Sequence, residues 1–253
     1  MGFVHGADGW RQYTDVTTRE TYPDQVTLAD VQAAADCLCG VAVRTPLLAF
    51  GDFDDEFGAS RVWLKPENLQ PIGAFKIRGA YTALSTLSPA EKDRGVVTHS
   101  SGNHAQGVAR AARMLGRRRA VIVMPDDAPA IKVDGVRADG AEIVFVGADN
   151  EERIERADQL AAEQGLVLIP SFDDARIVAG QGTVGLEIVE QVAEMGRANE
   201  PLTIFVPIGG GGLSAGVCVA VKSLRPDATI IGVEPELAAD AADSIREDRI
   251  VRW

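Results

Sequence analysis

At 253 residues with 46% hydrophobic side chains, the chain is long enough to bury a large core and hold one or two domains. Its formal net charge of −12 argues against nucleic acid as a partner, and no long apolar run or charged-then-apolar leader points to a membrane or a secretory route. Cys37, Cys39 and Cys218 make neither a CxxC pair nor a disulfide framework, the three histidines are scattered at positions 5, 99 and 104, and the expected compartment is the cytoplasm.

Residues 1–25 are mixed and glycine-rich and read as a loosely held arm. A helix is expected to start at Thr27, with Asp30 in capping-box position and Val31, Ala34 and Ala35 on one face. Lys76 follows, one of five lysines (Lys65, Lys76, Lys92, Lys132, Lys222), set between Phe75 and Ile77. An apolar setting for an ammonium implies a partner, a lowered pKa or a covalent role, and a neutral amine is what Schiff-base chemistry needs. A surface lysine at the edge of a strand or helix is the plain alternative.

Residues 95–97 read as the end of a strand and residues 105–115 as a helix, with small and polar residues filling the junction. Such a turn exposes backbone N–H groups at a helix N-terminus, where an anion is favoured. Ser100, Ser101 and Asn103 add polar side chains; an ordinary N-cap would need only one of them. Strands are expected near 119–124, 142–146 and 166–169, with a charged helix at 151–164 whose acidic and basic residues make a solvated face. An apolar strand from Thr203 then runs into Gly209, Gly210, Gly211 and Gly212 and a further helix. Consecutive glycines let successive amides converge on one anion, most often a phosphate. The alternation predicts an α/β fold of mostly parallel twisted sheets flanked by helices.

The tetraglycine also meets a dinucleotide-binding fingerprint as Gly210-x-Gly212-x-x-Ala215, with Glu234 ending the next strand. The 41 residues after Gly212 are too few for such a sheet, and that reading leaves Lys76 and the Asn103 turn without a role.

Three segments in this order, Phe75-Lys76-Ile77-Arg78-Gly79-Ala80, Ser100-Ser101-Gly102-Asn103-His104 and Gly209 to Gly212, resemble the serine/threonine dehydratase family of pyridoxal-phosphate enzymes with the tryptophan-synthase β-type fold (fold type II). Lys65 to Gln70, Gly180-Gln181-Gly182-Thr183 and Gly232-Val233-Glu234-Pro235 extend the likeness over roughly residues 28–244. The resemblance implies two domains, a large one from 1–94 and 171–253 and a small mobile one at 95–170. It makes Lys76 the Schiff-base lysine beside Phe75, puts Asn103 against the cofactor's phenolic oxygen, and cradles the phosphate in Gly209, Gly210, Gly211 and Gly212. Ser100, Ser101, Gly102, Asn103 and His104 would hold the substrate carboxylate.

The implied reaction is dehydration and deamination of a β-hydroxy amino acid, L-threonine or L-serine, to a 2-oxo acid and ammonia, in a homodimer. Ser101 stands where related serine racemases carry an acid on the ring face opposite the lysine, so racemisation is an alternative. Glu234, Ala238 and Asp240 match a spacing with which racemase-like members bind Mg²⁺ or Ca²⁺; a polar loop after a strand is the plain reading. Ala74 and Ile72 depart from the family pattern at positions where a change in substrate fit is expected. Family members usually continue past the Glu-Pro strand into a segment that supplies a partner for the pyridine nitrogen. The expectation for the chain ending at Trp253 is weak cofactor binding and slow turnover, with a catalytically impaired binding protein as a further alternative.

Overall fold

The computed structural model describes residues 26–51, 61–116 and 118–251, together with the backbone of a hairpin in which β1 (Gly2–Gly6) pairs antiparallel with β2 (Gly9–Tyr13). The hairpin replaces part of the expected loose arm; the remainder of residues 1–25 lies outside the described residues. Helix α1 (Leu28–Cys37) begins as read from the sequence: Thr27 N–H donates to Asp30 Oδ2 at 2.8 Å and Asp30 N–H to Thr27 Oγ1 at 3.3 Å. Strands β3 (Leu48–Ala49) and β4 (Trp63–Leu64) form a short antiparallel pair before α2 (Lys76–Ser85) and α3 (Pro89–Arg94).

Residues 96–168 then build a parallel four-stranded sheet in the order β7 (Glu142–Val146), β6 (Ala120–Pro125), β5 (Val96–His99), β8 (Val167–Leu168). Helices α4 (Asn103–Met114), α5 (Ala130–Ala138) and α6 (Asn150–Gln164) connect its strands. Strand β6 is buried along its whole length, as a continuous apolar run between two helical layers should be. The period of two is plain there. Val96, Ile122 and Met124 face α2, α4 and α5, while Val97, Val121 and Val123 face Ala157 and Leu160 of α6. Strand β5 outruns its expected end at 97 because Thr98 Oγ1 donates to the Ile169 carbonyl at 2.7 Å and His99 pairs with Val123.

The second layer is organised by α7 (Ala175–Glu194), which packs on α1, α2 and α8 (Gly212–Leu224). Strands β9 (Thr203–Pro207) and β10 (Thr229–Val233) run parallel beside it, with Val184, Ile188, Ile204, Val206, Val217 and Val221 as their shared core. A Cβ on Gly216 would lie 2.3 Å from the Val178 carbonyl, so α7 and α8 touch backbone to backbone. Helix α9 (Asp240–Glu247) follows a 3-10 turn at Glu236–Ala238.

Candidate active site

Lys76 is the first residue of α2, and the turn before it is closed by Gly73 at φ 72° with its N–H on the Gln70 carbonyl. Helix α4 lies across this end of α2 so closely that a Cβ on Gly107 would meet the Lys76 carbonyl at 3.1 Å. That approach sets the Ser100–His104 turn beside Lys76, and both line one open cleft of about 430 Å³ with Pro129, Lys132 and Ser171. The Lys76 ammonium donates to the Ser171 carbonyl at 2.6 Å and lies 5.5 Å from the Phe75 ring centroid. No carboxylate pairs with it among the described residues. Burial alone pushes its pKa down to about 8, so a usable fraction of neutral amine exists near physiological pH.

The tetraglycine joins the same corner through the next residue, Phe172. Its ring crosses Gly210, where an added Cβ would lie 2.1 Å away, and its backbone is 3.1 Å from the same probe on Gly212. Gly211 has φ 86° and needs glycine for its own conformation. Gly209 does not: its φ is unexceptional and a Cβ there would meet nothing within 4 Å. The chain leaves that space free without any packing reason of its own.

Capping separates two kinds of helix. Helices α1, α3, α6 and α7 carry side-chain caps from Thr27, Ser88, Asp149 and Asp174. Helices α2, α4 and α8, which start at Lys76, Asn103 and Gly212, have none, and neither does α5 at Ala130, while the first amides of α9 are taken by Glu234. The N-cap of α4 is Gly102, and the hydroxyl of Ser100 accepts from the Gly102 N–H at 3.1 Å inside the turn. The surplus of polar residues in the turn is therefore not used for capping, and the free N–H groups remain for an anion.

Other residues singled out in the sequence fall as follows. Ser101 and Asn103 are exposed in the cleft. The His104 side chain is buried, with Nε2 at 3.2 Å from the Ile169 carbonyl and Nδ1 unpartnered. Burial, reinforced by the Lys76 charge, lowers its pKa to about 3, so its imidazole is neutral. Ile72 and Ala74 are buried against Ile77 and do not line the cleft. Glu234 uses both carboxylate oxygens to accept from the N–H groups of Ala241 and Ala242 at 3.1 and 2.9 Å, holding the start of α9 that Asp240 opens. A cation shared with Asp240 and Ala238 would compete with those two bonds. Lys132 and Ser171 were given no role by the sequence: Ser171 acts through a carbonyl, which carries no residue signature, and Lys132 depends on how α5 meets α4.

The family profile described as pyridoxal-phosphate dependent enzyme matches residues 40–253. The chain belongs to that family. It is 45% identical over 222 residues to the L-threo-3-hydroxyaspartate ammonia-lyase of Pseudomonas sp, covering 88% of this chain and 67% of that one. Among solved structures it resembles a threonine deaminase from T.th. (TM-score 0.82, 44% identity) and the serine racemase of Dictyostelium discoideum (TM-score 0.82, 36% identity), each over 90% of this chain and 71% of the other. It spans 36% to 68% of the length of several curated threonine dehydratases and ammonia-lyases that it matches. These matches place it with the serine/threonine dehydratase branch and the fold type II enzymes, and its cofactor is pyridoxal phosphate. The residues present fit that group: an unpaired, partly neutral lysine, three helix N-termini without side-chain caps, and a glycine whose missing Cβ no protein atom requires.

Proposed function

We propose that the chain catalyses loss of the β-hydroxyl and the α-amino group from a β-hydroxy amino acid, giving a 2-oxo acid and ammonia. The observation that carries this reading is Lys76, buried without a counter-charge at the mouth of a turn rich in free N–H groups. In this reading Lys76 would hold pyridoxal phosphate covalently, and its amine, when free, would accept the Cα proton as general base. The Ser100–His104 turn binds the substrate carboxylate at the start of α4, Gly209 to Gly212 bind the phosphate at the start of α8, and Asn103 binds the phenolic oxygen. When bound, the cofactor supplies the electron sink for the pair left at Cα. Residues 95–170 form the smaller unit over the cleft, inserted between 1–94 and 171–253.

Borohydride reduction of the loaded chain, followed by peptide mapping, should place pyridoxyl on Lys76 and leave Lys65, Lys92, Lys132 and Lys222 unmodified. Even labelling of several lysines would remove the reading. A panel of L-threonine, L-serine and L-threo-3-hydroxyaspartate, scored for 2-oxo acid and ammonia, then identifies the side chain accepted.

Ser101 supports a second reading, because its hydroxyl is exposed in the cleft and has no partner among the described residues. As an acid on the face opposite Lys76 it would permit racemisation. Ser101→Ala should then lose racemisation and keep elimination; equal loss of both would leave Ser101 as a carboxylate contact only.

A further inference from the structure

Lys132 is the second ammonium in the cleft, and the function just proposed gives it nothing to do. It sits in the first turn of α5, directly across from the first turn of α4. Its Nζ donates to Asn103 Oδ1 at 2.5 Å and to Gln106 Oε1 at 3.0 Å. Asn103 and Gln106 are three residues apart and share one face of α4, and Lys132 and Gly135 are three apart and share one face of α5. Gly135 belongs to the same arrangement. A Cβ there would fall 2.0 Å from Gln106 Nε2, so the missing side chain is what lets the Gln106 amide lie against α5 and present its oxygen to Lys132.

The consequence for Asn103 follows from the chemistry of its partner. A carboxamide has an accepting end and a donating end, and which end faces which way is set by its neighbours. A lysine ammonium can only donate. It therefore takes Oδ1, and the Nδ2 end, which no acceptor among the described residues engages, is left for a ligand in the cleft. An N–H₂ group offered this way binds an oxygen that carries charge better than one that carries a proton.

We propose that Lys132 is a positioning residue, held by Gln106 in the space left by Gly135, that fixes the Asn103 carboxamide with its donor end toward the cofactor's phenolic oxygen and so keeps that oxygen ionised. This rests on the assignment of Asn103 and Lys76 to pyridoxal phosphate made above. Lys132 does not touch the reacting atoms; it acts through Asn103.

The test reads the bound chromophore rather than turnover. Ionisation of the phenolic oxygen sets the ratio of visible to near-UV absorbance of the loaded protein. Lys132→Met should lower that ratio roughly tenfold, the size of one charge-assisted hydrogen bond, at equal bound cofactor. Lys132→Arg, which restores a donor-only cation, should recover most of it. Gly135→Ala lies outside the cleft and leaves Lys132 in place, yet it should shift the ratio in the same direction by displacing Gln106. That second variant decides the matter if Lys132→Met fails to fold or to load. An unchanged ratio in Lys132→Met, or in Gly135→Ala where Lys132→Met cannot be read, would overturn the proposal. So would a shift in Lys132→Met that arginine does not rescue. A wild-type chain with no chromophore on Lys76 would remove the proposed function, and this inference with it. A normal wild-type spectrum with indifferent variants removes this inference alone.

Discussion

Lys65 and Lys76 are both drawn out of water, and the surroundings of the two could hardly differ more. Lys65 is 8% exposed and donates to Glu187 Oε2 at 2.6 Å, to the Thr45 carbonyl at 2.6 Å and to Gln191 Oε1 at 2.9 Å. It belongs to a closed network centred on Arg78, which is 1% exposed and reaches Glu67, Glu187, Thr183 and the Val43 carbonyl. There burial still lowers the Lys65 pKa, but the Glu187 carboxylate opposes the shift. Lys76 meets only a carbonyl and an aromatic ring, and nothing opposes the shift. A paired buried charge is part of the scaffold; an unpaired one is held ready for chemistry, at some cost in stability.

The comparison breaks first, and most visibly, at the two cations themselves. Lys76→Ala should lower the rate of 2-oxo acid release by roughly 10⁴-fold, since anchor and base go together, while the melting temperature holds or rises. A large fall in stability would mean that Lys76 is as structural as Lys65. Arg78→Leu should do the reverse. It leaves Glu67 without its cationic partner and Glu187 with Lys65 alone, and should cost about 3–5 kcal/mol in denaturant unfolding. A stable Arg78→Leu chain would show the network to be far wetter than its geometry indicates.

Two glycines sharpen the same contrast at lower amplitude. Gly216→Ala drives a methyl into the α7 backbone and should destabilise by about 1–3 kcal/mol. Gly209→Ala meets open space and should stay within about 0.5 kcal/mol of the parent in unfolding, yet lose roughly tenfold or more in affinity for pyridoxal phosphate, measured by titration of the cofactor-free chain. Equal affinity would take the phosphate away from Gly209.

The contrast also shows in the pH dependence of stability. In the folded chain Lys76 releases its proton at about 8, and in the unfolded chain at the ordinary lysine value of about 10.4. Between those values the unfolded state binds the extra proton, so stability should rise with pH across that window; below about 8 both states are protonated and the slope vanishes. The difference between the cofactor-free parent and Lys76→Met in unfolding midpoint should show this rise from pH 8 to 10. A flat difference would mean that Lys76 is solvated.

Much of the site could be read from the chain itself because it rests on backbone geometry that few residues permit. The tetraglycine, the Ser100–His104 turn and the Thr27–Asp30 capping box are local devices, and local devices leave local signatures. The strand at 142–146 was legible for the same reason, from its length and apolar content, and the structure places β7 on those residues. Ile72 and Ala74 show the limit. Their departure from the family pattern implied a change in substrate fit, but the turn at Gly73 swings them under Ile77.

What the sequence by itself determined is the family, the cofactor chemistry and the alternation of strands and helices, since each is carried by residue type and spacing along a short stretch. The tertiary structure alone decided which charges are paired. Glu187 stands 122 residues from Lys65 and 109 from Arg78, the Ser171 carbonyl 95 from Lys76, and Lys132 29 from Asn103. No period or motif spans such distances. Whether a buried lysine is neutralised or left poised depends on what the helices bring to within about 3 Å of it, and that is a property of packing, through the close crossings that Gly107, Gly135 and Gly216 allow.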